Sequence, residues 1–504
     1  MFILDEYSGA NNNNITSIAV VQQQSSTMKI TNSDSRFQQR RGAGGSGGGK
    51  LSKLGQHYFL NLIGLLVAIS ICISVFYINA LSSEDLNVSS QTMLSIPAIP
   101  PRVPKTKTTS TTTIAYAVSL VKCSDKITTP VGLTDAGVVL AHSIHQNSIR
   151  NPASGSKYDY KMYAIVHEQA VACSGALASA GFELVIQKPP VQKQDIQSKY
   201  LRETIHKEVC CGHDEFIKLY AYLLEEPIVV HLDMDFVFNK PLDDLFDVML
   251  QPTMDEPKTR VHRERPDKPW PKTVDAFLTR DWPSTRPGRI AGFQAGFIVL
   301  RPSQKVFDEL VHVIKTAEYM DGNSPENGWG GKGYGGFVGA RAMQGLIAYY
   351  YDHIRPGNWV ELNQCRYNHM GMNLKVGGKC RNNQAECEDC MDTPMEEIYN
   401  IHFTKCRKPW SCIGEVGKGV TFLPEGEIHA DHCFELQKVW HDHRYDLERQ
   451  LLGLTGDANI QKGMFGVYKK ESFQGHCAAH GEYLPISAKE ETLKQTSELY
   501  NQLS

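Results

Sequence analysis

The sequence predicts an α/β domain with a mainly parallel sheet, carried behind one N-terminal transmembrane helix. Three observations lead there. From residue 113 onward, short apolar runs of strand character alternate with segments of helical periodicity. The stretch IVVHLD (228–233) is apolar on both faces apart from His231, as expected of a strand at the centre of such a sheet. Well upstream, residues 58–78 form an uncharged run of 21 residues, long enough to cross a bilayer as a helix.

The bulk numbers set limits. At 504 residues the chain is too long for one ordinary domain and too short for four. Its 41% hydrophobic and 21% charged content is that of a globular protein. A net charge of −3 provides no global field for nucleic acid, and no nucleic-acid partner is expected.

Taken in order, residues 1–57 contain NNNN, QQQ and GAGGSGGGK. Such a composition cannot bury a core and reads as a disordered tail. The span 58–78 has 57 residues ahead of it and no small-residue cleavage site behind it, so it reads as a retained signal anchor. Arg36, Arg40, Arg41, Lys50 and Lys53 precede it, while Glu84 and Asp85 follow. The positive-inside rule then puts the tail in the cytosol and the bulk of the chain in the lumen, as a single-pass type II protein. Cysteine usage agrees: of 13 Cys, Cys72 lies in the span and 12 follow it, an even number suited to an oxidising compartment. Asn87-Val88-Ser89 is a glycosylation acceptor on the lumenal side. Residues 79–112, with SIPAIPPRVPKTKTTSTTT, read as an extended Pro/Ser/Thr stem.

Within the domain assigned to 113–424, TIAYAVSLV (113–121) is a strand and TDAGVVLAHSIHQNS (134–148) a helix with Thr134 as its cap. KMYAIV (161–166) is a strand, QAVACSGALASAG (169–181) a helix and FELVIQ (182–187) a strand. Helix DEFIKLYAYLL (214–224) precedes the strand 228–233. QAGFIVL (294–300) is a further strand, followed by a helix over 303–319, and YNIHF (399–403) is a late one. Residues 425–504 form a helical C-terminal extension packed on the outside of the domain. Its histidines, His429, His432, His441 and His443, are assigned to helix surface.

The strand 228–233 runs into Asp233-Met234-Asp235. In open α/β sheets, ligands sit beyond the carboxyl ends of the strands. Residues i and i+2 of an extended segment point to one side. Two carboxylates there would repel one another and be costly to desolvate unless a hard divalent cation took both as ligands. Such a cation keeps open positions for phosphate oxygens, which points to a held diphosphate. A second element, IHFTKCRKPW (401–410), ends a strand at His402, a ligand suited to Mn²⁺, and continues with Lys405, Arg407 and Lys408. Cations there could neutralise a departing diphosphate.

FIKLYAYLLEEPIVVHLDMDFVFNKPLDDLFD together with HFTKCRKPW resembles the glycogenin-like branch (family 8) of the retaining nucleotide-sugar glycosyltransferases, over roughly residues 113–412. The resemblance implies a GT-A fold, a Rossmann-like mixed sheet flanked by helices. It also implies a D-x-D motif on Mn²⁺ or Mg²⁺ and a late H-F-x-x-x-x-K-P-W motif. Asp233, Asp235 and His402 would then bind the metal, and Lys408 and Lys218 would reach the donor. The family's Asn-Ala-Gly is here Gln294-Ala295-Gly296, which keeps an amide near the sugar hydroxyls. Its Asp-Gln-Gly is here Met343-Gln344-Gly345, so the carboxylate is lost and Gln344 becomes the candidate near the anomeric carbon.

Three stretches stay open. GWGGKGYGGFVGA (328–340) lacks the order of a P-loop and reads as a flexible loop near the acceptor side, or as plain linker. RVHRERPDKPWPK (260–272) reads as a loop that chooses the acceptor, or as a solvated one. Cys365, Cys380, Cys387 and Cys390 form disulfides or a zinc site, disulfides being favoured in a lumen; adjacent Cys210 and Cys211 should take different partners. Two functions from different classes remain. One is a Golgi glycosyltransferase using a UDP-sugar and a glycan, lipid or protein acceptor. The other is a catalytically inactive, membrane-anchored glycan- or nucleotide-binding relative, motivated by Met343. A phosphate-processing hydrolase is disfavoured, since no second metal cluster or general base is apparent.

Overall fold

The computed structural model describes residues 111–123, 130–208, 211–285, 288–321, 326–412, 430–452, 473–477 and 483–486. The expected anchor at 58–78, Asn87, the expected tail and all but the last two residues of the expected stem lie outside these residues. Among the described residues no helix is long and apolar enough to cross a membrane.

The strands that matter here are β1 (Thr113–Leu120), β2 (Asp159–His167), β3 (Glu183–Gln187), β4 (Val229–Leu232), β5 (Phe236–Phe238), β6 (Ala276–Arg280), β7 (Phe293–Leu300), β8 (Trp359–Glu361) and β9 (Asn400–His402). Seven of them form one sheet in the order β8-β6-β7-β4-β1-β2-β3. β1, β2, β3 and β4 run parallel, and so do β6 and β8, while β7 is antiparallel to both β4 and β6. The sheet is therefore mixed and mainly parallel, which fits the GT-A expectation. β5 and β9 form a separate antiparallel ladder.

Alternation along the strands divides the core in two. Ile114, Tyr116 and Val118 of β1 join the apolar cluster of helices α1 (Pro130–Gln146) and α4 (Ala430–Leu452). Ala115 and Ala117 join the cluster of α2 (Gln304–Thr316) and α3 (Met343–Tyr349). α2 begins where Ser303 accepts the Val306 N–H, an N-cap that satisfies one free amide of the first turn.

Several sequence expectations are corrected. α1 starts at Pro130, so Thr134 lies inside the helix and does not cap it. Proline at the first position brings a suitable φ and has no N–H to satisfy. The helix expected over 169–181 is a 3₁₀ turn (Glu168–Cys173) and a short α-helix (Gly175–Ser179). The Ser174 hydroxyl bonds the Val171 carbonyl at the break, a local bond that competes with a continuous helix. The segment before β4 is a 3₁₀ helix, Gly212–Leu223. Its three-residue turn aligns Glu215 with Lys218, which pair at 3.2 Å, and sets Phe216, Leu219 and Tyr222 in the core. β6 was hidden in the insert after the D-x-D strand.

The C-terminal helix is no outer decoration. α4 buries Leu436, Trp440 and Leu447 in the core. Leu436 alone contributes about 1.5–3 kcal/mol. Cys406–Cys433 and Cys412–Cys477 tie the C-terminal part to the loop after β9. His432 and His441 are buried and His443 half-buried, not on the surface; His429 lies outside the described residues. His432 meets His369 at 2.7 Å and His441 meets His476 at 3.0 Å, because these rings face the domain. Cys365–Cys390 and Cys380–Cys387 are disulfides, which removes the zinc reading. Cys211 is also disulfide-bonded, and Cys210 lies outside the described residues. The glycine-rich stretch is anchored, not loose: Trp329 and Tyr334 are buried, and the Gly339 N–H bonds Glu208.

Candidate active site

β4 ends at Leu232, and the chain crosses to β5 through Asp233, Met234 and Asp235. The Asp233 N–H bonds the Gly296 carbonyl of β7, and the Asp235 carbonyl accepts the Phe403 N–H beyond β9. The connector is thus pinned on both sides at the carboxyl end of the central strand. β9 pairs with β5 so that His402 lies opposite Phe236, and the two rings stack at 4.2 Å. This ladder brings two sequence motifs 167 residues apart (402 − 235) to one point.

His402 Nε2 lies 4.0 Å from Asp233 Oδ2 and 3.6 Å from Asp235 Oδ1. One ligand atom from each of the three falls within 4.8 Å of the others, and all three residues are buried. Among the described residues, Asp233 Oδ2 and His402 Nε2 are buried polar atoms with no hydrogen-bond partner. Such atoms are costly unless something binds them. Two carboxylate oxygens and an imidazole nitrogen suit a divalent ion such as Mn²⁺ or Mg²⁺. A Cβ on Gly296 would lie 2.5 Å from Asp233 Oδ2 and 2.7 Å from His402 Cε1, so only glycine lets the cluster close. The residues present fit the group.

Around this centre the charges are arranged in pairs. Lys218 Nζ lies 2.9 Å from Asp233 Oδ1 and also bonds Glu215. Lys408 Nζ bonds Asp235 and the Phe403 carbonyl. Burial would raise the Asp233 carboxyl, but the Lys218 ammonium and then His402 together hold the group below its usual range. Burial acts likewise on Asp235, where Lys408 and then His402 prevail and hold the group below its usual range. Lys218 is desolvated, yet Asp233 and Glu215 keep it protonated. Glu215 is itself raised, by burial first, with Lys218 opposing.

The two amides sit nearby. Gln294 is buried on β7, two residues from Gly296, whose N–H its Oε1 accepts at 3.2 Å. Gln344, at the start of α3, donates Nε2–H to Asp281 Oδ2 at 3.2 Å and to the Val338 carbonyl at 2.8 Å. Met343 is buried in the core. The structure thus brings Asp233, Asp235, His402, Lys218 and Lys408 into direct contact. Gln294 joins them through Gly296. Gln344 bonds Asp281, whose N–H bonds the carbonyl of Gly292, the residue just before β7.

Three residues escaped the sequence reading. Asn368 accepts His402 Nδ1–H at 2.9 Å and donates to Thr279 Oγ1 at 2.7 Å. Nothing in YNHMG marks it. Glu215 is marked only by its pairing with Lys218 across one 3₁₀ turn, at 3.2 Å. Asp281 follows AFLTR at the carboxyl end of β6, a signal that would have been legible had β6 been recognised. A register shift between Leu278 and Arg280 precedes it, and such irregularities re-aim side chains near sites.

No family model matches the chain, and no curated protein matches it. Solved structures do. The WbbM bifunctional glycosyltransferase in apo form is 14% identical over 66% of this chain and 50% of that one, with a TM-score of 0.34. Apo mouse xyloside xylosyltransferase 1 is 11% identical over 59% and 99%, with a TM-score of 0.33. The galactosyltransferase LgtC with donor and acceptor sugar analogues is 12% identical over 65% and 95%, with a TM-score of 0.30. This chain spans half the length of the first and nearly all of the other two.

Proposed function

We propose that the protein is a divalent-metal-dependent glycosyltransferase. It moves a sugar from a nucleotide-sugar donor, a UDP-sugar, to a glycan, lipid or protein acceptor, with retention at the anomeric carbon. The observation that carries this reading is the buried Asp233, Asp235 and His402 cluster, whose facing Oδ2 and Nε2 atoms have no protein partner among the described residues. The motif resemblance set out above adds the donor class and the stereochemistry.

Asp233, Asp235 and His402 hold Mn²⁺ or Mg²⁺. When bound, the ion supplies Lewis-acid neutralisation of the departing diphosphate. Asn368 keeps Nδ1 of His402 protonated and so leaves Nε2 as the ligand nitrogen. Lys408 and Lys218 are the cations we assign to the donor phosphates. Both N–H bonds of Gln344 are spent on Asp281 and Val338, which leaves its carbonyl oxygen for the sugar. Gln294 is assigned to the sugar hydroxyls. Asp281 puts a carboxylate beside Gln344 although Met343 has replaced the one the family carries, which supports an enzyme over a binding relative. The alternative draws on Met343 alone, buried where that carboxylate would stand.

The compartment is part of the same proposal: residues 58–78 anchor a type II protein in the Golgi membrane, with this domain in the lumen. Five disulfides among the described residues support an oxidising environment. The test incubates the full chain with a panel of UDP- and GDP-sugars and Mn²⁺ and quantifies released nucleoside diphosphate. Release with one donor, lost with EDTA and in Asp233→Ala/Asp235→Ala, is the expected result. Donor binding by calorimetry without release from any donor and acceptor pair would favour the binding relative.

A further inference from the structure

Lys408 bonds Asp235 at the metal cluster, yet it stands beyond the last strand of the site. The β9 ladder ends at His402, and after it the Phe403 N–H bonds the Asp235 carbonyl. A lysine has a long flexible stem, so its ammonium is placed only as well as its backbone is. Poor placement is costly: near a reacting centre a shift of about 1 Å can lower the rate about a hundredfold. The loop after β9 therefore needs support that the sheets do not give it.

That support comes from α4. The Gln437 side-chain N–H bonds the Arg407 carbonyl at 2.8 Å, and His441 Nε2–H bonds the Pro409 carbonyl at 3.2 Å. Both side chains are buried, and they occupy positions i and i+4 of the helix, on one face. Their bonds bracket Lys408, one carbonyl on each side of it. Cys406–Cys433 and Cys412–Cys477 fasten the two ends of the same loop, and Trp410 packs against Trp440 at 5.9 Å. Away from α4, Lys405 reaches Ser284 Oγ at 2.7 Å. A helix that merely covered the core would need Leu436, Trp440 and Leu447, but not two buried donors aimed at the backbone on either side of one lysine.

We propose that α4 is part of the donor site, and that Gln437, backed by His441, is a positioning residue that holds the Lys408 ammonium against the donor diphosphate. The assignment rests on the glycosyltransferase reading above. It extends the functional unit past residue 424, to a helix that the sequence places in a separate extension. Gln437 touches neither metal nor donor. It acts through the backbone beside Lys408, so its contribution exists only while the Lys408 side chain is present.

The test titrates the full chain by calorimetry, first with Mn²⁺ and then with UDP at saturating Mn²⁺. Gln437→Met, similar in length but without the N–H, should weaken UDP about tenfold. Its Mn²⁺ affinity should not fall, since the bond removed is made to Arg407 and to no residue of the metal cluster. Lys408→Ala alone should weaken UDP about tenfold or more, and adding Gln437→Met to it should cost nothing further. Leu447→Ala, a cavity in the core nearer the C-terminal end of α4, is the control: it should lower the melting temperature and leave UDP affinity within about twofold. Gln437→Asn, whose amide is one methylene too short, repeats the measurement should the methionine variant fail to fold. Unchanged UDP affinity in the Gln437 variants overturns the proposal. So does an equal loss in Leu447→Ala, which would mean that α4 only stabilises, and so do losses that add in the double variant. Failure of Mn²⁺ and UDP to bind the unaltered chain is a different result, and it removes the functional reading itself.

Discussion

Asn368 Oδ1 receives the Nδ1–H of His402 at 2.9 Å, and this bond decides which imidazole nitrogen faces the two aspartates. Asn368 is fully buried, adopts φ 63°, and is held in turn by Thr279 and by the Asn400 side chain. Asparagine and aspartate tolerate that left-handed backbone better than other side chains with a Cβ. Asn368→Ala should lower Mn²⁺ affinity about 10–100-fold, the usual cost of losing an outer partner of a ligand. Asn368→Asp, which keeps an acceptor, should retain most of it. Calorimetric Mn²⁺ titration beside near-UV circular dichroism separates this effect from misfolding. Equal affinity in both variants would rule out the positioning role.

Gly296→Ala places a methyl group where Asp233 Oδ2 and His402 Cε1 now lie, at 2.5 and 2.7 Å. Neither neighbour is the free end of a flexible chain, so the cluster must open. Mn²⁺ binding and donor turnover should both fall at least about tenfold, while secondary structure persists. Unchanged Mn²⁺ affinity would show that the cluster is not the metal site.

Metal should also stabilise the fold. At a hundred times its Kd, a ligand of the native state adds about 2.7 kcal/mol. Mn²⁺ is therefore expected to raise the melting temperature by several degrees, and EDTA to reverse it. Asp235→Asn should abolish the shift. It also leaves Lys408 facing a neutral amide in place of the carboxylate it now bonds.

Acid should loosen the attachment of α4. His441 and His476 are buried with their Nδ1 atoms 3.0 Å apart. Burial first, then each other and Arg444, push His441 well below its ordinary value; burial and Arg444 do the same to His476. Glu448 and the Pro409 carbonyl also face the pair. Depressed imidazoles are neutral in the fold and protonated in the unfolded chain below about pH 6.5. The unfolded state then binds more protons, so stability falls as pH drops below that value, by up to about 1.4 kcal/mol per pH unit for each group. Melting curves between pH 7.5 and 5 should show the decline. His441→Gln should flatten its slope.

Much of this was legible along the chain. The strand before Asp233 was readable because a central parallel strand must be apolar on both faces, so a carboxylate at its end stands out. The H-F-x-x-x-x-K-P-W stretch was readable as a motif for the same local reason. β6 was not, because AFLTR is short and sits inside a polar, proline-rich insert that reads as loop throughout. The burial of His432 and His441 on α4 is not legible along the chain, because a histidine's spacing on a helix does not say what the helix lies against.

The sequence alone determined the alternation of strands and helices, the two acidic positions at a strand end, and the chemistry a cation would find there. These depend on neighbours in the chain, through side-chain period and backbone propensity. Only the tertiary structure decided that His402 faces Asp233 and Asp235, that Asn368 sets its tautomer, and that Asp281 stands beside Gln344 where Met343 has no carboxylate. Those contacts are made by the pairing of β5 with β9 and of β6 with β7, ladders between segments far apart in sequence. Their registers follow from burying one face of each strand against a core that exists only once the chain has folded.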